Sequence, residues 1–115
     1  MKKMNALLLE SVQKILALLV EGDYEQIERI THGIRISALD IKRAVTDYGR
    51  TLVAPPIESI LLWEFVAVRG AYPPRWIATV PLWTLEEGRS DLSVALTLIE
   101  ESFGVRIEVD DLHVL

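Results

Sequence analysis

Apolar and polar side chains alternate strand after strand between residues 75 and 110, and this constrains the fold more than any other feature of the chain. Arg75-Trp76-Ile77-Ala78-Thr79-Val80-Pro81-Leu82-Trp83 leads to a turn at Glu86-Glu87-Gly88. Asp91-Leu92-Ser93-Val94-Ala95-Leu96-Thr97-Leu98-Ile99 takes up the same period, and Val105-Arg106-Ile107-Glu108-Val109-Asp110 repeats it after Ser102-Phe103-Gly104. A period of two sends successive side chains to opposite faces, so these segments read as neighbouring antiparallel strands with one buried face. Strands are expected at 58–69, 75–84, 90–100 and 104–110, with Tyr72-Pro73-Pro74 turning the first into the second. Pro81 cannot donate a ladder hydrogen bond, which suggests a bulge there.

A sheet of this kind needs a covering layer, and the first half of the chain supplies helices. Leu8, Val12, Ile15, Leu16 and Leu19 recur at helical spacing, so 4–21 reads as an amphipathic helix closed by Gly22. Asp23 is placed to cap a second helix, with Gln26 three residues on as in a capping box. Thr31-His32-Gly33 ends that helix. A third starts at Ser37, carries Ile41, Ala44, Val45 and Tyr48 inward, and closes at Gly49. Thr51 to Pro56 is extended, because Pro55-Pro56 cannot continue a helix.

The expected fold class is α+β: three N-terminal helices packed on one face of a curved four-stranded antiparallel meander. Residues 1–115 form a single domain, with 1–50 as the helical layer and 57–115 as the sheet. The rows Trp76-Ala78-Val80-Leu82, Leu92-Val94-Leu96-Leu98 and Val105-Ile107-Val109 should meet the helices. In the first strand Leu61, Trp63, Phe65 and Ala67 should join them. A chain of 115 residues can bury roughly 65% of its unfolded surface, so no staples are needed.

The opposite face is more apolar than a solvated sheet requires. Ile60, Leu62, Val66, Ile77, Trp83 and Ile99 lie on it, which predicts a homodimer formed by packing two such faces. Half the residues are hydrophobic and the mean hydropathy is +0.28, in keeping with a buried interface. There is no cysteine, which excludes disulfides and thiolate metal sites. Met1-Lys2-Lys3 opens like a signal peptide, but Glu10, Gln13 and Lys14 interrupt the apolar run, so a cytoplasmic protein without a membrane partner is expected.

Charge divides the chain. Eight Lys and Arg face seven Asp and Glu up to residue 50, against four and ten beyond it. The acidic half disfavours nucleic acid. Glu58, Glu86, Glu87, Asp91, Asp110, Asp111 and His113 should gather at one end of the sheet, beside Arg89. Such a cluster suits a basic protein partner; as a metal site its spacing matches no ligand motif. Tyr48, Trp63 and Trp76 would line any pocket between sheet and helices, as apolar ligand sites require. No nucleophile setting, paired histidines or nucleotide-binding glycines are present, so neither catalytic residues nor a cofactor is expected. Should the pocket be enzyme-like, Glu64, Asp91 or His113 would supply its base.

The order of helix, short helix capped at Gly22-Asp23-Tyr24-Glu25, third helix and long antiparallel strands, with the phrase Leu19-Val20-Glu21-Gly22-Asp23-Tyr24-Glu25, resembles the nuclear transport factor 2-like superfamily of the cystatin-like α+β group. The chain departs from it between the second and third helices, where Ile34-Arg35-Ile36 stands in place of a hairpin. That resemblance implies a cone-shaped fold, frequent dimers, and either a small-molecule pocket or a pure binding role. The stretch from Leu82 to Leu92 and the ending Asp110-Asp111-Leu112-His113-Val114-Leu115 also look like a family of small bacterial proteins, which implies no activity. The function expected is thus a homodimeric binding or interaction module without catalysis. The alternative is a small-ligand or enzyme-like pocket of the nuclear transport factor 2-like type.

Overall fold

A computed structural model describes residues 6–114. Three helices, α1 (Ala6–Glu21), α2 (Tyr24–Thr31) and α3 (Ala38–Tyr48), precede five strands. These are β1 (Leu52–Val53), β2 (Glu64–Ala67), β3 (Arg75–Thr84), β4 (Gly88–Glu101) and β5 (Gly104–Val114), with a 3-10 helix, Ile57–Leu62, between β1 and β2. The fold is α+β, with the helices followed by a curved, unclosed antiparallel sheet. β3, β4 and β5 are consecutive neighbours, and β1 and β2 both pair along the other edge of β3. The sheet is therefore four strands wide; of the first strand expected at 58–69 only Glu64–Ala67 pairs, and β1, from the expected extended segment, takes the rest of that edge.

The helix ends follow local chemistry. The Asp23 carboxylate accepts the Gln26 N–H, and the Ser37 hydroxyl accepts the Asp40 N–H, each satisfying a donor that the first helical turn leaves open. The reciprocal half of a capping box is missing, because the Gln26 side chain accepts from the Arg29 guanidinium instead. α3 ends at Gly49, whose φ of 73° suits a residue without Cβ. At the end of α2 a non-glycine residue, His32, takes the left-handed position at φ 60°. The start of the long N-terminal helix expected at residue 4 lies outside the described residues.

The inner register is as the alternation predicts. Ala78, Val80 and Leu82 of β3, Leu92, Val94, Leu96 and Leu98 of β4, and Ile107 and Val109 of β5 are buried. They share one core with Leu8, Val12, Ile15, Leu16 and Leu19 of α1, Ile27 of α2 and Ile41 of α3. Each fully buried large side chain contributes about 1.5–3 kcal/mol. Trp76 and Val105 pack on the same core from its margin.

Three differences have physical causes. First, residues 57–62 are helical where a strand was expected, and Leu61 is 87% exposed rather than inward. Ile60-Leu61-Leu62-Trp63 is an unbroken apolar run with no period of two, so nothing holds it to a pleat. Only Trp63 and Phe65 of the expected inward set meet the core, while Ala67 is exposed. Second, the register of β3 on β4 shifts between Pro81 and Trp83, at the expected bulge. Third, β5 runs on to Val114. Ala95 pairs with Asp111 and Leu96 with Val109, so Asp110 is an extra residue in the ladder. Two successive acidic residues break the alternation, and the bulge resets its phase so that Leu112 again packs on the core.

Leu96→Ala is expected to lower the unfolding free energy by about 2–5 kcal/mol, because it opens a cavity in the close-packed layer. Leu61→Ala should change it by less than about 0.5 kcal/mol. Urea titration followed by circular dichroism measures both, and a core-sized loss at Leu61 would contradict the 3-10 geometry.

Candidate functional site

An apolar cleft of about 400 Å³ lies between the last turns of α1 and the segment that separates β1 from β2. Leu16, Ala17 and Val20 form one wall, and Pro55, Ile60 and Trp63 the other. The amphipathic stripe of α1 explains the first wall. Leu16 belongs to the core while Ala17 and Val20 sit beside it, exposed. Pro55-Pro56 explains the second wall. β1 ends before the prolines, and Pro56 stands in extended geometry at the cap of the 3-10 helix, turning the chain away from the sheet edge.

The polar complement of the cleft is small: Gln13 and Glu21 on α1, and Ser59 on the 3-10 helix. Ser59 is 3% exposed and Trp63 8%, and the Ser59 Oγ and Trp63 Nε1 atoms are buried without a hydrogen-bond partner among the described residues. An unmatched buried donor costs on the order of 1–3 kcal/mol, so two on one wall of one cleft call for an explanation.

The two other side chains expected to line a pocket lie elsewhere. The Tyr48 hydroxyl donates to Glu87 Oε1 at 2.9 Å and accepts the Asp91 N–H at 3.3 Å, fastening the end of α3 to the β3–β4 turn. Trp76 Nε1 donates to Glu100 Oε2 at 2.9 Å. Trp63 is thus the one member of the trio in the cleft.

The acidic residues form several small groups. Glu86 accepts from the Thr51 N–H and hydroxyl, both at 2.9 Å, and these bonds hold its carboxyl below the usual 4.5. Glu87 accepts from Tyr48 and Thr84. Glu58 lies on the 3-10 helix, apart from both. Asp111 lies 2.9 Å from His113 Nδ1; the two pair with Ala95 and Ser93, toward the end of the β4–β5 ladder nearest the β3–β4 turn. Asp110 is reached by Arg35 Nε at 2.9 Å and by the Thr97 hydroxyl at 2.9 and 3.0 Å. Burial nevertheless pushes its carboxyl above the usual 3.8, with Thr97 and Arg35 offsetting only part of the shift. Arg35 also bonds Glu108, which Arg106 flanks on its other side. Among the described residues, no three His, Asp or Glu side chains are grouped to hold a metal ion.

Of the face assigned to a dimer, Leu62 and Val66 are exposed and Ile77 and Trp83 half-buried. Ile60 packs against the core. Ile99 is 1% exposed although it lies outside the core between sheet and helices. Its cross-strand neighbours are Arg75 and Arg106, a residue type whose aliphatic stem can cover an apolar neighbour. Glu64, the candidate base, is exposed at the start of β2.

Sequence reasoning missed Ala17, Val20 and Ser59 as parts of a site. The available signal was the Ile60–Trp63 run, too apolar and too aperiodic for a half-exposed strand. It also missed Tyr72 and Phe103, exposed aromatics on two neighbouring turns.

The chain belongs to the family described as Domain of unknown function (DUF7668), whose model matches residues 16–115. That span takes in Leu16, Ala17 and Val20 and the whole facing wall of the cleft. No curated protein and no solved structure matches the chain. No helix among the described residues is long and apolar enough to cross a membrane.

Glu86→Gln should flatten the acid limb of stability against pH. A carboxylate with a lowered folded-state pKa adds stability above 4.5 that is lost as pH falls through the folded value. Asp110→Asn acts with the opposite sign. The parent loses stability as pH rises from 3.8 through the raised folded value, so the variant should be at least as stable near neutrality, with the gap closing in acid. Thermal melts from about pH 3 to about pH 7 measure both, and parallel profiles for parent and variants would contradict the assignment.

Proposed function

We propose that this chain is a cytoplasmic, non-catalytic binding module whose ligand site is the cleft between α1 and the 3-10 helix. The observation that carries this reading is an apolar hollow of small-molecule size with two unpartnered polar atoms in its wall. The electrostatics favour binding over catalysis. Glu86 and Asp110 lie outside the cleft, and His32 and His113 are not among its lining residues. A pocket walled by helix and sheet margin is also the kind of site that the nuclear transport factor 2-like resemblance implies. The acidic groups favour a basic partner less, because Glu86, Glu87 and Asp110 are engaged in internal bonds that hold turns and strands together.

The test is titration with N-phenyl-1-naphthylamine, a neutral apolar fluorophore. Saturable enhancement at one site per chain is expected, and Ala17→Phe, which fills the cleft from an exposed helix position, should abolish it. Absence of saturable binding, or binding unchanged in Ala17→Phe, would contradict the reading.

Self-association is a second reading, with its own observation. Leu62, Val66 and Val68 are exposed around β2, an edge strand that among the described residues pairs only with β3. An apolar edge of this kind invites a second copy. Sedimentation velocity should give a dimer for the parent and a monomer for Val66→Lys. A parent that stays monomeric at every concentration would remove this reading.

A further inference from the structure

We infer that the cleft takes a neutral, largely apolar molecule bearing one hydrogen-bond acceptor of the carbonyl type, bound by the Trp63 Nε1–H and the Ser59 hydroxyl. This rests on the reading of the cleft as a ligand site and adds the class of ligand.

The donor set defines the class. An indole N–H can only donate, and a serine hydroxyl can donate as well as accept. Both are buried without a partner in the free protein. A ligand offering only donors would leave the indole unmatched, whereas a carbonyl oxygen has two lone pairs and can satisfy both groups. The remaining wall is aliphatic, from Leu16, Val20, Pro55 and Ile60, and matches an apolar body.

The charge of the acceptor follows from the lining. Among the described residues, the charged side chain at the cleft is Glu21, an anion, and neither Lys nor Arg lines it. A carboxylate would be moved from water to an apolar wall with no cation to receive it and one carboxylate nearby to repel it. A ketone, ester or amide carries the same acceptor without that penalty.

The free protein holds both atoms beneath the surface, so the acceptor reaches them when the 3-10 helix eases outward. Part of that segment faces solvent. Its end bonds are Ser59 N–H to Pro56 and Trp63 N–H to Ile60, both within its own turn. Exposed Ile57 and Leu61 add no packing. Outward movement disturbs the packing of Ile60 and Trp63 on the core, and a carbonyl that enters recovers the hydrogen bonds the free state lacks.

Acetophenone, ethylbenzene and benzoate share one shape and differ in the acceptor and its charge. Each is titrated into ¹⁵N-labelled protein, with binding by calorimetry and the indole N–H resonances of Trp63, Trp76 and Trp83 followed by NMR. Acetophenone should bind about tenfold more tightly than ethylbenzene, the equivalent of one hydrogen bond in an apolar site, and benzoate more weakly than acetophenone. The Trp63 indole resonance, assigned through Trp63→Phe, should move downfield with acetophenone alone. Ser59→Ala gives a second variant that leaves the indole in place, and should weaken acetophenone while leaving ethylbenzene unchanged. Ethylbenzene binding as tightly as acetophenone, benzoate binding tightest, or an unmoved Trp63 resonance at saturation would each overturn the inference while leaving an apolar binding cleft intact. Failure of all three compounds together with N-phenyl-1-naphthylamine would overturn the cleft itself.

Discussion

The apolar seam between α1 and the inner rows of β3, β4 and β5 is the constraint on which everything else depends. Leu8, Val12, Ile15, Leu16 and Leu19 lie along one stripe of a single helix, and Val80, Val94, Leu96, Leu98 and Val109 lie opposite. Neither surface can stay in water, and each is shaped to cover the other. Once this seam closes, α2 and α3 have little freedom. Asp23 and Ser37 start them, Ile27 and Ile41 anchor them, and Arg35 between them is fixed on β5 through Glu108 and Asp110. The seam also creates the cleft, because α1 extends past the point where Pro55-Pro56 takes the chain off the sheet edge.

Legibility in the sequence tracked how local the governing physics is. The rows beginning at Ala78 and Leu92 could be read because a period of two is imposed along the whole strand by one buried face. The helix starts at Asp23 and Ser37 could be read because a cap is a bond between residues three apart. The Pro81 bulge followed from a missing N–H. In contrast, the helical turn at 57–62 is set by where Trp63 and Ile60 find the core, which no local pattern encodes. The Asp110 bulge was visible only as a broken alternation, and reading it as the end of the strand cost four residues of β5.

The candidate site was legible in part, for the same reason. Trp63 could be picked out as a large aromatic in a segment poorly suited to solvent. Its expected companions Tyr48 and Trp76 turned out to serve the frame, the first tying α3 to a turn and the second reaching Glu100 across the β3–β4 pair. The real companions, Ala17, Val20 and Ser59, are small or ordinary residues whose importance comes only from being brought together. Of the acidic residues read from the meander, Glu86, Glu87 and Asp110 take local roles, because carboxylates near the ends of strands are well placed to accept from backbone N–H groups and hydroxyls.

α1, packed on the core, and a short 3-10 turn with exposed Ile57 and Leu61 give the cleft one firm wall and one more open to solvent. Binding modules need that combination: the firm wall keeps the site, and the more open one admits the ligand and closes over it. Amide hydrogen exchange with and without saturating N-phenyl-1-naphthylamine tests this most directly. The account requires that the amides of residues 57–63 exchange early in the free protein and slow down on binding, while those of β4 stay protected throughout. Protection appearing on the outer face of the sheet instead, with residues 57–63 unaffected, would contradict it.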